Sequence, residues 1–284
     1  MLLILRKSLF IIAAYLLTLS PISNASTPKD NPITLGIFPY ISPGQMVKFH
    51  NDFKKILSEA LERKVILVSA PSFKKFIQRT KQSQYDIIMT APHLGRLAEV
   101  RDGYRPIVHT MHAIQGVYLV AKDSGIQRLE DLKGKTITMV GRKALVTQMA
   151  EKQLASLGLK NGENISLRFT KTHNNAMYAP LRGESEASVP GILLWQKIGQ
   201  KERERIRAIG KTPAAPGFLV MASSNVPESD FHVIQRALLD VHHTPHGKQY
   251  LEKTGFNRFD ILDDKEKKEL DPFIANHLKK KKQP

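Results

Sequence analysis

Apolar positions along this chain switch repeatedly between two periods. After a polar stretch from Ser26 to Pro32, Ile33 to Phe38 reads as a buried strand. Met46, Phe49, Phe53, Ile56, Leu57, Ala60 and Leu61 then recur at helical spacing. Val65 to Val68 reads as a second strand, Phe73, Phe76 and Ile77 mark a second helix, and Asp86 to Met89 a short third strand. Strands that alternate with helices need crossover connections, so this order predicts a parallel, doubly wound α/β sheet flanked by helices. Ligands on such sheets bind beyond the carboxyl ends of the strands, which singles out the loops Phe38 to Gly44 and Thr90 to Leu94.

The pattern then starts again. Val117 to Ala121 is a further strand that leads into Ser124 to Met139, where Leu129 and Leu132 sit three apart on a short helix, Gly134 can end it, and Thr136 to Val140 is mostly apolar and β-branched. Such a unit in mid-chain implies a second domain. Val146, Met149, Ala150, Leu154 and Leu157 share one helix face up to Gly158. Strand-like Ile165 to Phe169, a helix near Asn174 to Arg182, a variable stretch from Ala187 to Trp195 and strand-like Ile206 to Ile209 follow. Phe218 to Ala222 suits a returning strand, and the stripe Phe231, Ile234, Leu238 and Val241 suits a helix packed on the first domain. The expected organisation is two lobes, each a doubly wound, mostly parallel sheet: residues 26–121 plus 218–284, and residues 122–217. They are joined by a hinge with crossings near Ala121 to Ser124 and Thr212 to Gly217.

Composition adds compartment and partner class. Arg6 and Lys7, the apolar run Leu9 to Leu19, and Ser23-Asn24-Ala25 have the order of a secretory signal peptide, residues 1–25, with cleavage expected after Ala25; the apolar run is shorter than the roughly 20 residues of a spanning helix. The chain has no cysteine, which excludes both disulfide staples and a lipid-modified cysteine at the cleavage site. A soluble protein of a bacterial periplasm is expected, and 284 residues less the leader suffice for two domains. The net charge of +17 favours anionic partners, although Lys265, Lys267, Lys268 and Lys279 to Lys282 place seven of the positives in one polar tail. Aromatic residues do not interleave with the basic ones, so no nucleic-acid partner is expected.

With these elements in order, the chain resembles the PhnD-like family of phosphate/phosphite/phosphonate periplasmic solute-binding proteins that serve ABC importers. The resemblance rests on Leu35-Gly-Ile-Phe-Pro-Tyr40, Tyr85-Asp-Ile-Ile-Met-Thr-Ala-Pro-His93, the Ser124 to Met139 unit, Thr172-His-Asn-Asn-Ala176 with Arg182-Gly-Glu184, and Thr244-Pro-His-Gly-Lys248 with Leu251. It implies two α/β lobes, a small anion clamped between them by hinge closure, and delivery by a monomer to an inner-membrane permease. A ligand sensor on the same clamp, working with a sensor kinase, is the rival reading. Two departures from the family matter. Phosphonate binders carry a Ser-Thr-Ser type run at the start of a second-lobe helix, where this chain reads Ala144-Leu145-Val146. Backbone donors and the positive helix end survive that change, whereas up to three hydroxyl hydrogen bonds, each worth roughly 1 kcal/mol, do not. The family's acidic residue that receives a substrate amine is replaced by Val189-Pro190-Gly191, which favours a plain oxyanion or an unrelated ligand over an aminophosphonate.

The candidate ligand-binding residues follow from these positions. Tyr40 follows the first strand and either walls the cleft or packs its own loop, while Thr90 and His93 follow the third strand, His93 alternatively capping the next helix. Arg142 and Lys143 precede the altered run and are candidates to compensate for it by charge-assisted bonds, at most one of them reaching the ligand, beside the backbone donors of Ala144 and Leu145. His173 and Asn174 lie where a strand gives way to a helix, a position suited to anion contact or to capping. His242, His243 and His246 lack a carboxylate or cysteine at supporting spacing, so no metal is assigned. No catalytic residue and no cofactor is expected: the chain has no Gly-x-Ser-x-Gly, Walker loop, His-Glu-x-x-His or cysteine nucleophile.

Overall fold

The computed structural model describes residues 31–279, so the expected signal peptide and the last lysines lie outside the described residues. The first half follows the hydrophobic pattern closely: β1 (Ile33–Ile37), α1 (Pro43–Leu61), β2 (Val65–Val68), α2 (Phe73–Lys81), β3 (Ile87–Thr90), α3 (Pro92–Asp102) and β4 (Arg105–Thr110). The middle of the chain builds β5 (Val117–Ala121), β6 (Thr136–Val140), α4 (Leu145–Ser156), β7 (Ser166–Thr170), α5 (His173–Tyr178), β8 (Ala187–Val189), α6 (Ile192–Lys197), α7 (Gln200–Arg203) and β9 (Ile206–Lys211). The return adds β10 (Leu219–Ala222), α8 (Glu228–Leu239), α9 (Pro245–Thr254), β11 (Phe259–Asp260), α10 (Asp264–Leu270) and α11 (Ala275–Lys279).

Two sheets result, one of six strands in the order β11-β4-β10-β3-β1-β2 and one of five in the order β7-β6-β8-β5-β9. The two-lobed α/β architecture is therefore present. Parallel pairing is confined to β2-β1-β3 in one sheet and β7-β6-β8 in the other. The strands next to the crossings, β4, β10, β5 and β9, pair antiparallel, as does β11; by direction the sheets are mostly parallel as expected, with β10 and β11 reversed in the first and β5 in the second. The reason lies in the connectivity: strands that carry the chain out of one sheet and back into it run in opposite directions. Each lobe has its own apolar cluster. In the first, the expected stripe Phe231, Ile234, Leu238 and Val241 packs with Leu35, Phe53, Phe76 and Met89; the second gathers Tyr118, Ile137, Met139, Ala150 and Leu154.

The first crossing differs from expectation. Val117–Ala121 belongs to the five-stranded sheet, paired with β8 and β9, so the chain leaves the first sheet after Thr110 and not near Ala121 to Ser124. The turn-like Asp123-Ser124-Gly125 is an internal turn of the second lobe, closed by the Ser124 N–H on the Ala121 carbonyl at 3.1 Å. The crossing carries no turn signal because it stays extended against the returning one. Ile114 and Ala215 exchange hydrogen bonds at 2.9 and 3.0 Å, the Thr110 N–H donates to Phe218, and the Thr212 N–H donates to Gly116. Gly217 sits where these two segments touch: a Cβ there would lie 1.9 Å from the Thr110 carbonyl oxygen. The C-terminal segment also spans both lobes, with Asp271 bonded to Arg96 of α3 at 2.8 Å and Phe273 packed against Val140, Leu145 and Met149.

Candidate functional site

A cavity of about 330 Å³ opens between the lobes, at the carboxyl ends of β1 and β3 and against the first turns of α4, α5 and α6. The first lobe supplies an aromatic wall. Phe38 stacks on Tyr40 with ring centroids 4.8 Å apart, Phe218 meets Phe38 edge-on at 4.9 Å and Phe256 at 5.7 Å, and Phe73 closes on Phe38 at 5.9 Å. The second lobe answers with Leu145, Val146, Ile192 and Leu193. No Asp or Glu lines the cavity among the described residues, and Lys197, at the exposed end of α6, is the one formally charged side chain that does. Its ammonium crosses to the first lobe, donating to the Lys253 carbonyl at 2.9 Å and lying 5.7 Å from the ring of Phe49.

Of the residues singled out in the sequence, Tyr40, His93, Ala144, Leu145, His173 and Asn174 line this cavity, while Thr90, Arg142 and Lys143 do not. Thr90 ends β3 opposite Leu219 and is fully buried inside the first lobe, its hydroxyl without a hydrogen-bond partner. Arg142 turns outward onto the face of Phe169 at 4.3 Å and toward Glu151 at 3.7 Å. The side chain of Lys143 is exposed, and the residue contributes through its carbonyl, which accepts from His93 Nε2 at 2.9 Å. Adjacent side chains in the turn before α4 thus point away from the ligand space, and neither cation compensates there for the missing hydroxyls.

The histidines differ in what they offer. A carbonyl can only accept, so the His93–Lys143 bond places the proton on Nε2 of a buried ring whose pKa is lowered to about 4, chiefly by desolvation. This bond ties α3 of the first lobe to the start of α4 in the second. His173 Nδ1 accepts the Gly191 N–H at 2.9 Å, which in a neutral ring places the proton on Nε2. Desolvation lowers its pKa to about 4 as well, so the ring is neutral near pH 7 and presents an N–H donor with no hydrogen-bond partner among the described residues. A Cβ at Gly191 would lie 3.3 Å from this ring, so glycine there lets the backbone approach it.

Several other polar groups around the cavity are already engaged. The Tyr40 hydroxyl bonds His50 Nε2 at 2.8 Å, and His50 Nδ1 bonds the Tyr250 hydroxyl at 3.1 Å, a relay that runs from half-buried Tyr40 to the fully buried His50 and Tyr250. Desolvation raises the pKa of Tyr40 and lowers that of His50 to about 4. The Thr172 hydroxyl accepts the Asn175 N–H as the cap of α5, Gln115 donates to the Thr212 carbonyl, and the Thr254 hydroxyl donates to the Tyr250 carbonyl. Lys197, Phe218, Phe256 and His50 escaped the sequence reading. Only His50 left a trace, a polar residue within the apolar stripe Met46, Phe53, Leu57.

Solved structures share this architecture. PhnD1 from Prochlorococcus marinus (MIT 9301), in complex with methylphosphonate, superposes with a TM-score of 0.79 at 16% identity, over 87% of this chain and 98% of that one. PA3383 from Pseudomonas aeruginosa, a binding protein component of an ABC phosphonate transporter, gives 0.74 at 17% identity, over 87% of both chains. XAC2383 from Xanthomonas citri, bound to ATP, gives 0.69 at 15% identity, over 87% of this chain and 97% of that one. At such identities the likeness speaks to the fold. The sequence model of the family described as ABC transporter, phosphonate, periplasmic substrate-binding protein spans residues 35–266, most of the chain, and the protein belongs to that family.

Proposed function

We propose that the chain is the exported, monomeric binding component of an ABC importer, cleaved after Ala25, and that it captures an anion in the interlobe cavity by hinge closure, without turnover. One observation carries the anion assignment: among the described residues no carboxylate lines the cavity, and the donors on its second-lobe wall have no acidic partner there. Those donors are the neutral His173 Nε2–H and the first-turn amides of α4, at its positive end. With Gly191 the one residue of Val189-Pro190-Gly191 in the wall, and no carboxylate among the described lining residues, a ligand amine would meet no acidic partner. Walls from both lobes mean that only a ligand touching both gains affinity on closure. Calorimetry on ligand-stripped protein with phosphate, phosphite, methylphosphonate and sulfate, paired with small-angle scattering, tests this. Heat together with a smaller radius of gyration is expected for at least one of the four. Folded protein that gives neither with any of them refutes the anion assignment.

A further inference from the structure

We infer that the cavity is built for an organic oxyanion with a sizeable apolar body, aromatic or branched aliphatic, and not for a bare inorganic oxyanion. This rests on the anion reading above and narrows it to a substrate class. The first ground is volume. At roughly 30 Å³ per water, about 330 Å³ corresponds to on the order of ten waters, far more than a small tetrahedral oxyanion displaces. The second is the distribution of chemistry. Phe38, Tyr40, Phe73, Phe218 and Phe256 form one continuous set of stacked and edge-on rings on the first-lobe wall. The unsatisfied ring donor, His173 Nε2–H, and the α4 amides belong to the second lobe.

The third ground is the state of four other polar groups on the lining. Tyr40, Thr172, Gln115 and Thr254 each bond to the protein itself, so their polar atoms are not arranged around a central oxyanion. A ligand polar on every side would leave its lone pairs facing phenylalanine rings, at the cost of desolvating them without a partner. A ligand with one charged end and one apolar end matches both walls: the head meets the second lobe and the body stacks on the first. Ala144-Leu145-Val146 adds apolar side chains to the second-lobe wall as well, which confines its donors to the helix-start amides and His173 and leaves little there to surround a bare oxyanion.

Titration calorimetry with a series of constant head group and growing body tests this on the mature protein: phosphate, methylphosphonate, n-butylphosphonate and phenylphosphonate, with benzyl alcohol as the uncharged aromatic. Affinity is expected to rise along the series, by about 30-fold or more from methyl- to phenylphosphonate, the scale of burying one ring's apolar area. Benzyl alcohol is expected to bind at least about 100-fold more weakly than phenylphosphonate. Phe73→Ser, a half-buried position at the edge of the wall, is expected to lower the ratio of phenylphosphonate to methylphosphonate affinity by about fivefold or more. Equal or falling affinity from methyl to phenyl overturns the apolar-body assignment and leaves the anion reading standing. Benzyl alcohol binding as tightly as phenylphosphonate, or silence from every phosphonate and from phosphate, overturns the anion reading and this inference with it.

Discussion

Acidification is expected to destabilise the first lobe well before its carboxylates titrate. His50, His93 and His112 are at most 5% exposed, and desolvation lowers the pKa of each to about 4, against about 6.5 in an unfolded chain. The sign follows from proton counting. Between these two values the unfolded state binds more protons, so stability is intact above pH 6.5 and is lost as pH falls toward 4. At pH 5 the loss is about 2 kcal/mol per histidine, and the three together reach the low end of the roughly 5–15 kcal/mol that holds an ordinary domain folded. Urea unfolding followed by far-UV circular dichroism at pH 7, 6 and 5 measures it, and Trp195 fluorescence follows the second lobe separately. The midpoint should fall steeply below pH 6 in the circular dichroism signal, and His50→Gln should reduce the proton uptake on unfolding by about one. An unchanged midpoint and slope between pH 7 and pH 5 would refute the view that these rings are held neutral by burial.

Three further outcomes are expected. Gly217→Ala forces a Cβ to within 1.9 Å of the Thr110 carbonyl oxygen at the paired crossings, and should lower stability by more than about 3 kcal/mol in thermal melts; Gly125→Ala, where a Cβ meets nothing within 4 Å, serves as the neutral control. Gly191→Ala presses on the His173 ring at 3.3 Å, and should weaken phosphonate binding about tenfold by calorimetry while changing the melting temperature by only a few degrees. His93→Phe removes the bond to the Lys143 carbonyl, so small-angle scattering of the ligand-free variant should show a larger radius of gyration than wild type, consistent with losing about 1 kcal/mol of interlobe attraction.

The sequence carried the elements better than their assembly. Period-2 and helical stripes located β1 to β3 and α8 because those segments bury one face against a single lobe, and burial of one face is what periodicity records. The crossing at Met111 to Gly116 left no such mark, since its extended backbone is held by pairing with Thr212 to Phe218, some hundred residues away. Loop positions at strand ends placed Tyr40, His93 and His173 beside the cavity. Side-chain direction was not legible: Arg142 and Lys143 share a turn with Ala144, yet turn outward because Phe169 and Glu151 offer Arg142 a surface partner. The aromatic wall was equally hidden, because Phe38, Phe218 and Phe256 come from three separate elements and read individually as ordinary core residues.

On the proposed reading, closure depends on a division of labour between the lobes. The first presents rings and the second presents the ring and amide donors, so neither wall alone binds a charged ligand well. Two interlobe hydrogen bonds, His93 Nε2 to the Lys143 carbonyl and Lys197 Nζ to the Lys253 carbonyl, flank the cavity independently of any ligand. At about 1 kcal/mol net apiece they bias the lobes toward each other without locking them. A ligand shifts that balance only by its differential affinity for the two arrangements, and a bare oxyanion, with no body to reach the first-lobe rings, gains less on closing than a ligand that has one. A ligand whose apolar body reaches the Phe38–Phe218–Phe256 wall gains that contact only when the lobes meet. On the proposed reading, the same surface that would set ligand preference would therefore also supply the free energy for closing the hinge.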